Sequence, residues 1–230
     1  MSLFAIADTH LSLDADKSME IFSGWQGYVT RLEANWRAVV SEADTVVIPG
    51  DVSWGMSLEG ALMDFRFLNA LPGKKLLLKG NHDYWWSTRR KMELFFEEHG
   101  LDTLRIVHND ACLADGVAVC GTRGWFFDAE EDADHKVVLR EAGRLRASIQ
   151  AAKALGGEPV VFLHYPPLTQ GARCVEIMQV LLEEGISRCY YGHLHGPATR
   201  AAVTGEREGV RFSLVSADFL HFCPKLIVPV

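Results

Sequence analysis

Five short apolar runs in this chain each deliver a polar or metal-type side chain at their carboxyl ends, and that recurrence constrains the fold more than any other feature. Phe4-Ala5-Ile6-Ala7 leads into Asp8, Val46-Val47-Ile48-Pro49-Gly50 into Asp51, and Leu76-Leu77-Leu78-Lys79-Gly80 into Asn81. Val160-Val161-Phe162-Leu163 leads into His164, and Tyr190-Tyr191-Gly192 into His193. Short apolar runs bounded by turn residues read as buried strands. Where such strands lie parallel, their carboxyl ends share one edge of the sheet, so residues distant in sequence converge there. Glycine precedes three of the five polar residues, which allows close backbone approach and sharp turns at that edge.

Helical periodicity fills the intervals, which predicts an α/β fold. Trp25, Tyr28, Leu32, Trp36 and Val39 form one apolar helix face. A second helix is expected from Ser57, with Leu58, Leu62, Phe65 and Leu68 on one face, and a third from Thr88 to His99, closed by Gly100. Leu104–Val107, Ala111–Ala114 and Val117–Cys120 read as closely spaced antiparallel strands, with Asp115-Gly116 as a hairpin turn. The acidic run Asp128–Asp134 reads as a solvated loop before a long helix carrying Val138, Leu145, Ile149 and Ala152. After a helix from Cys174 to Glu184, Ala198–Thr204 and Val210–Val215 read as a final hairpin, and Leu226–Val228 as a last strand. With no internal repeat and no Pro/Ser-rich linker, a single domain over residues 1–230 is expected.

Composition narrows the function classes. A net charge of −7 argues against broad electrostatic attachment to nucleic acid or an anionic membrane, because both need a dense Lys/Arg surface. No apolar run approaches the ~20 residues needed to cross a bilayer. The first residues lack a basic stretch and a small-residue cleavage site, so no secretory leader is expected and a cytoplasmic location follows. Five cysteines, none in a Cys-x-x-Cys pair, fit reduced thiols.

Adding His10 and His195 to the strand-end residues gives carboxylates, imidazoles and one amide oxygen, with no thiolate. Mixed N/O ligation suits Mn, Fe or Zn ions and disfavours a structural zinc-thiolate site. The ligands outnumber the needs of one ion. Two ions about 3.5–4 Å apart would use them all and clamp a phosphoryl group.

Asp8-Thr9-His10, Gly50-Asp51, Gly80-Asn81-His82-Asp83, His164 followed by Pro166 and Pro167, and Gly192-His193-Leu194-His195 resemble, in residues and in order, the calcineurin-like metallophosphoesterases. The resemblance implies a four-layer α/β/β/α sandwich and phosphoester hydrolysis by a metal-bridging hydroxide. It further implies that Asp8, His10 and His195 hold one metal ion, that Asn81, His164 and His193 hold a second, and that Asp51 bridges them. His82 would be catalytic beside the leaving group, with Asp83 orienting it. The chain departs from the pattern after Gly50-Asp51: many members continue to an Asp-Arg pair, but here the sequence reads Val52-Ser53-Trp54-Gly55. Arg123, in Gly121-Thr122-Arg123-Gly124-Trp125, is the candidate replacement for phosphate contact.

Taken singly, these residues have bland readings: Asp8-Thr9-His10 a capped turn, Asp51 a helix cap, Asn81 a turn residue, His164 a satisfied core histidine. Only the set favours coordination. The expected substrate is a small-molecule phosphomonoester or phosphodiester, including nucleotides, since Trp54, Trp85, Trp86 and Trp125 stand near the motifs and can stack on a ring. A protein phosphatase or a nuclease with the same metal centre ranks below it, the former for want of the Asp-Arg pair, the latter for want of a basic groove. A catalytically inactive interaction scaffold ranks last, because every expected metal position is filled.

Overall fold

The computed structural model describes residues 1–125 and 132–228, with only the backbone of 132–134. Two mainly parallel sheets carry the chain. The first has the order β11-β1-β2-β3-β4, from β1 (Leu3–Ala5), β2 (Thr45–Pro49), β3 (Lys74–Leu78), β4 (Leu104–Ile106) and β11 (Lys225–Val228). All its pairs are parallel except β1 with β11. The second has the order β5-β6-β7-β8-β10-β9, from β5 (Ala111–Ala114), β6 (Val117–Thr122), β7 (Glu158–Leu163), β8 (Arg188–Tyr191), β9 (Gly205–Arg207) and β10 (Val210–Leu214). Its four central strands are parallel, and a hairpin closes each edge.

The two-residue period of the strands sorts their side chains between layers. Phe4, Val46, Ile48 and Leu77 face α1 (Tyr28–Val39), α2 (Leu62–Ala70) and α3 (Arg89–Glu98), joining Leu32, Trp36, Phe65 and Phe96 in one core. Leu3, Ala5, Val47, Leu76 and Leu78 point the other way, into a core shared with Val119, Val160, Phe162 and Tyr190 of the second sheet. The outer face of that sheet buries Val161, Leu163, Cys189 and Phe212 against Leu145, Ile149, Ile177 and Leu181 of α4 (Asp132–Ala154) and α5 (Val175–Glu183). The order is helix, sheet, sheet, helix, the expected α/β/β/α sandwich.

Four details differ from the sequence reading. Leu104–Ile106 is not antiparallel: the α3 crossover returns the chain so that β4 extends the first sheet parallel to β3, and only β5 and β6 form the hairpin. Ala198–Thr204 is not a strand. Pro197, with its preset φ and missing N–H, starts a 3-10 helix over Gly196–Ala201, and β9 is the partner of β10. The second helix begins at Leu62, because residues from Ser57 first make a turn in which Ser57 Oγ accepts from Gly60 N. Of the acidic run Asp128–Asp134, residues 128–131 lie outside the described residues, and from Asp132 the backbone is already helical.

Candidate metal centre

Both sheets end at one crevice. Asp8, Asp51 and Asn81 arrive from β1, β2 and β3, and His164 and His193 from β7 and β8. The glycines are what let the strand ends close on one another. A Cβ on Gly80 would stand 2.1 Å from Asp51 Oδ1, one on Gly192 2.5 Å from Asp8 Oδ2, and one on Gly50 2.6 Å from Gly80 Cα. Asp8, His10, Asp51 and His193 adopt left-handed backbone at φ 60°, 43°, 51° and 72°. That region costs a non-glycine residue about 1–3 kcal/mol and gathers at functional sites.

Asp8 is fully buried; its Oδ2 accepts from His193 N at 2.9 Å, while Oδ1 has no hydrogen-bond partner among the described residues. That oxygen stands 3.6 Å from His164 Nδ1 and 3.7 Å from His195 Nε2. Burial opposes ionisation of Asp8, but the nearby His195 charge, with His164 and His10, holds the carboxyl below its usual range. His10 turns Nε2 to within 3.3 Å of His195 Nε2, and its Nδ1 is buried without a partner among the described residues. The ring stacks on Trp54 at 4.9 Å, and its carbonyl accepts from Tyr28 Oη at 2.7 Å.

Asp51 stands between two groups of donors. Its Oδ2 lies 3.6 Å from His10 Nε2 and 3.6 Å from His164 Nε2, and its Oδ1 accepts from His82 N at 2.8 Å. Burial, with Asp8 beside it, pushes this carboxyl up to about 8 without a metal. Asn81 Oδ1 lies 2.6 Å from His164 Nε2 and 3.0 Å from His193 Nδ1. Burial lowers His10 and His164, and brings His193 down to about 4, so these rings are neutral donors at neutral pH. His195 goes the other way: burial is outweighed by Asp8 and Asp218, and it rises to about 10.

The residues fit metal ions. Asp8, His10 and His195 form one group whose donor atoms all lie within 4.8 Å of one another, and Asp8, Asp51 and His164 form another. Asn81 and His193 border the second. Two buried polar atoms without partners among the described residues, Asp8 Oδ1 and His10 Nδ1, belong to this cluster, and buried orphans are rare unless a ligand satisfies them.

His82 lies beside this cluster, half-buried, with its ring 4.5 Å from Trp54 and 5.9 Å from His10. Burial and the nearby Lys17 charge bring it down to about 4. The expectation that Asp83 orients His82 is corrected. Asp83 is buried, and its carboxylate accepts from Gly80 N at 2.7 Å, Val52 N at 2.8 Å, Asp51 N at 2.9 Å and Trp85 Nε1 at 2.9 Å. It ties two strand-end loops together, and the residue beside His82 Nδ1, at 3.3 Å, is Tyr84 through Oη. Arg123 follows β6: its carbonyl accepts from His164 N and Tyr165 N, and its guanidinium lies over the Trp125 ring at 4.7 Å.

Three contributors carry no sequence motif. Asp218 Oδ1 meets His195 Nδ1 at 2.9 Å, Lys17 Nζ lies 3.3 Å from the Trp54 ring centre, and Trp25 meets His10 and His195 edge-on. Trp54 thus stands next to His10 and His82 in the stretch where the sequence lacks the familiar arginine. Trp85, by contrast, is core.

The family profile of the calcineurin-like phosphoesterases matches residues 1–197. Among solved structures, the chain is similar to TT1561 of Thermus thermophilus, with 12% identity, TM-score 0.59, and 98% of this chain and 97% of that one covered. It is similar also to a phosphopantetheinyl hydrolase from Mycobacterium tuberculosis, with 15% identity, TM-score 0.54, and 100% and 96% covered. A protein of unknown function, AQ665 from Aquifex aeolicus, has 16% identity, TM-score 0.52, and 98% and 95% covered. At these identities the structural likenesses speak to the fold alone. No curated protein matches. With the profile spanning 197 of 230 residues, the chain belongs to the calcineurin-like phosphoesterase family, whose members are metal-dependent phosphoester hydrolases.

Proposed function

We propose that this hydrolase acts on a phosphomonoester or phosphodiester of a small molecule, including nucleotides, through a centre of two metal ions. Asp8, His10 and His195 would hold one ion, Asn81, His164 and His193 the other, with Asp51 shared. The observation that carries the assignment is the position of Asp51 Oδ2, 3.6 Å from an imidazole nitrogen of each set. The N/O donor set suits Mn, Fe or Zn. When bound, such ions neutralise phosphate oxygens and lower the pKa of a water from about 15.7 to about 7 for attack on phosphorus.

The protein's own groups complete the reaction. His82, with its ring uncharged at neutral pH in the metal-free chain, can offer an N–H to the departing oxygen, and Tyr84 Oη near Nδ1 restrains the ring. His10, His82 and His195 line a cavity of about 410 Å³ whose other walls include Met19, Phe22, Trp25 and Trp54. That lining favours an apolar or aromatic alcohol as the leaving group.

The test is turnover of aryl phosphate mono- and diesters by the Mn-loaded chain, with metal content measured in parallel. Asp51→Asn should cut turnover at least about 100-fold and lower metal occupancy, because it weakens both sets at once. Equal turnover in wild type and variant would refute the assignment.

A further inference from the structure

A second cavity, of about 360 Å³, lies at the same edge of the sheets but shares none of the seven residues assigned to metal. Lys79 and Arg123 line it from the carboxyl ends of β3 and β6, one strand from each sheet. Lys79 is two residues before Asn81, and the carbonyl of Arg123 holds the amides of His164 and Tyr165, so the cavity flanks the side of the centre that contains Asn81 and His164. Arg144, from α4, is a third cation in the wall.

Among the described residues the wall has one carboxylate, Glu141, and it is already engaged. Its Oε2 accepts from Thr122 Oγ1 at 2.6 Å and its Oε1 from Arg144 Nη1 at 2.5 Å. Lys79 and Arg123 make no side-chain hydrogen bond or ion pair among the described residues; Arg123 only stacks on Trp125. Among the described residues neither cation has a paired carboxylate, and the two repel each other across a shared cavity; the Asp83 and Glu141 charges oppose this for Lys79, and an entering anion would relieve it further. Trp86 is part of the same wall, and its Nε1, a group that can only donate, is buried without a partner among the described residues. Cationic donors without a paired carboxylate on a cavity wall are the complement of a tetrahedral oxyanion, and the planar guanidinium of Arg123 can meet two of its oxygens at once.

We infer that this cavity is a second oxyanion site, built to hold a phosphate-like group other than the one being hydrolysed. Two sources share that chemistry: a second phosphate of the substrate, which rests on the hydrolysis reading above, and a free phosphate bound as product or effector, which does not.

The test uses the full metal-loaded chain. Sodium sulfate is titrated against thermal unfolding, with chloride at matched ionic strength as reference, for wild type, Lys79→Gln, Lys79→Arg and Arg144→Gln. Arg144 is exposed on a helix and a Gln there can still donate to the buried Glu141, so Arg144→Gln keeps the site testable should Lys79→Gln fail to fold. Sulfate should raise the melting temperature of wild type and Lys79→Arg beyond chloride, with at least half of that increment lost in both Gln variants. Equal increments in all four proteins would overturn the site. The source is read from kcat/KM for an aryl monophosphate and its bisphosphate analogue. A loss of about ten-fold confined to the bisphosphate in the Gln variants assigns the cavity to the substrate's second phosphate. Loss of the sulfate increment with both esters unaffected assigns it to a free anion. A wild-type chain that hydrolyses neither ester yet keeps the increment refutes the proposed reaction and leaves the anion site standing.

Discussion

At His195 the ring nitrogen turned away from the centre, Nδ1, meets Asp218 Oδ1 at 2.9 Å, and Asp218 Oδ2 also takes Gly196 N at 2.8 Å. One carboxylate thereby sets the tautomer of the ring, its orientation and the loop beyond it. Asp218→Asn should leave the seven donors in place but weaken metal binding by about 10–100-fold, measured by competition with a chelating dye. Unchanged affinity would mean that Asp218 only fixes the loop. The sequence does not reveal this residue, because an isolated Asp between Ala217 and Phe219 has no periodicity and no partner spacing. Asp83 shows the opposite limit. Its place in Gly80-Asn81-His82-Asp83 is legible, but its partners are mostly backbone amides, to which sequence pattern is blind.

At the scale of elements, the strand ends are the legible part. Apolar runs ending in Gly-Asp, Gly-Asn or Gly-His mark both a buried strand and its approach to another chain segment, since a buried backbone needs both burial and room. Gly192→Ala should therefore act locally. Its Cβ would meet Ala7 Cβ at 2.6 Å and Asp8 Oδ2 at 2.5 Å, so the variant should fold with reduced metal content and turnover down about 10-fold or more. Gly143→Ala is the contrasting case: it lies exposed within α4 with nothing within 4 Å of the new Cβ, and should raise stability by about 0.5–1 kcal/mol in urea melts without touching turnover. What pattern misreads at this scale are segments decided by one residue or one crossover. Pro197 turns the expected strand after His195 into a 3-10 helix, and the α3 crossover makes β4 parallel.

For the whole molecule, charge is arranged by depth rather than by sum. Lys75 is fully buried near the start of β3, donating to Leu71 O and, at 3.1 Å, to Thr103 Oγ1. Burial lowers its pKa from 10.5 to about 8, with the Glu42 charge too weak to offset it. Between those values the unfolded chain holds a proton that the folded chain has released, so this group adds stability as pH rises through that window and costs stability below it. Denaturant melts of wild type and Lys75→Met should show the difference moving in favour of wild type by up to about 3 kcal/mol from pH 8 to 10.5. A flat difference would place Lys75 in contact with solvent. The net charge of −7 was legible from composition and speaks against a nucleic-acid groove; the cavity holding Lys79, Arg123 and Arg144 was not, because those cations meet only when both sheets are in place.

Each proposed metal set draws on both sheets: Asp8 and His10 with His195, and Asp51 and Asn81 with His164 and His193. The layer between the sheets, filled by Leu78, Val119, Phe162 and Tyr190, thus acts as the spacer of a caliper whose jaws are the strand ends. Side-chain volume in that layer sets the gap the ions must fit. Metal held across the jaws would in turn pin the sheets together, so the same contacts that tune the chemistry would register as resistance to unfolding.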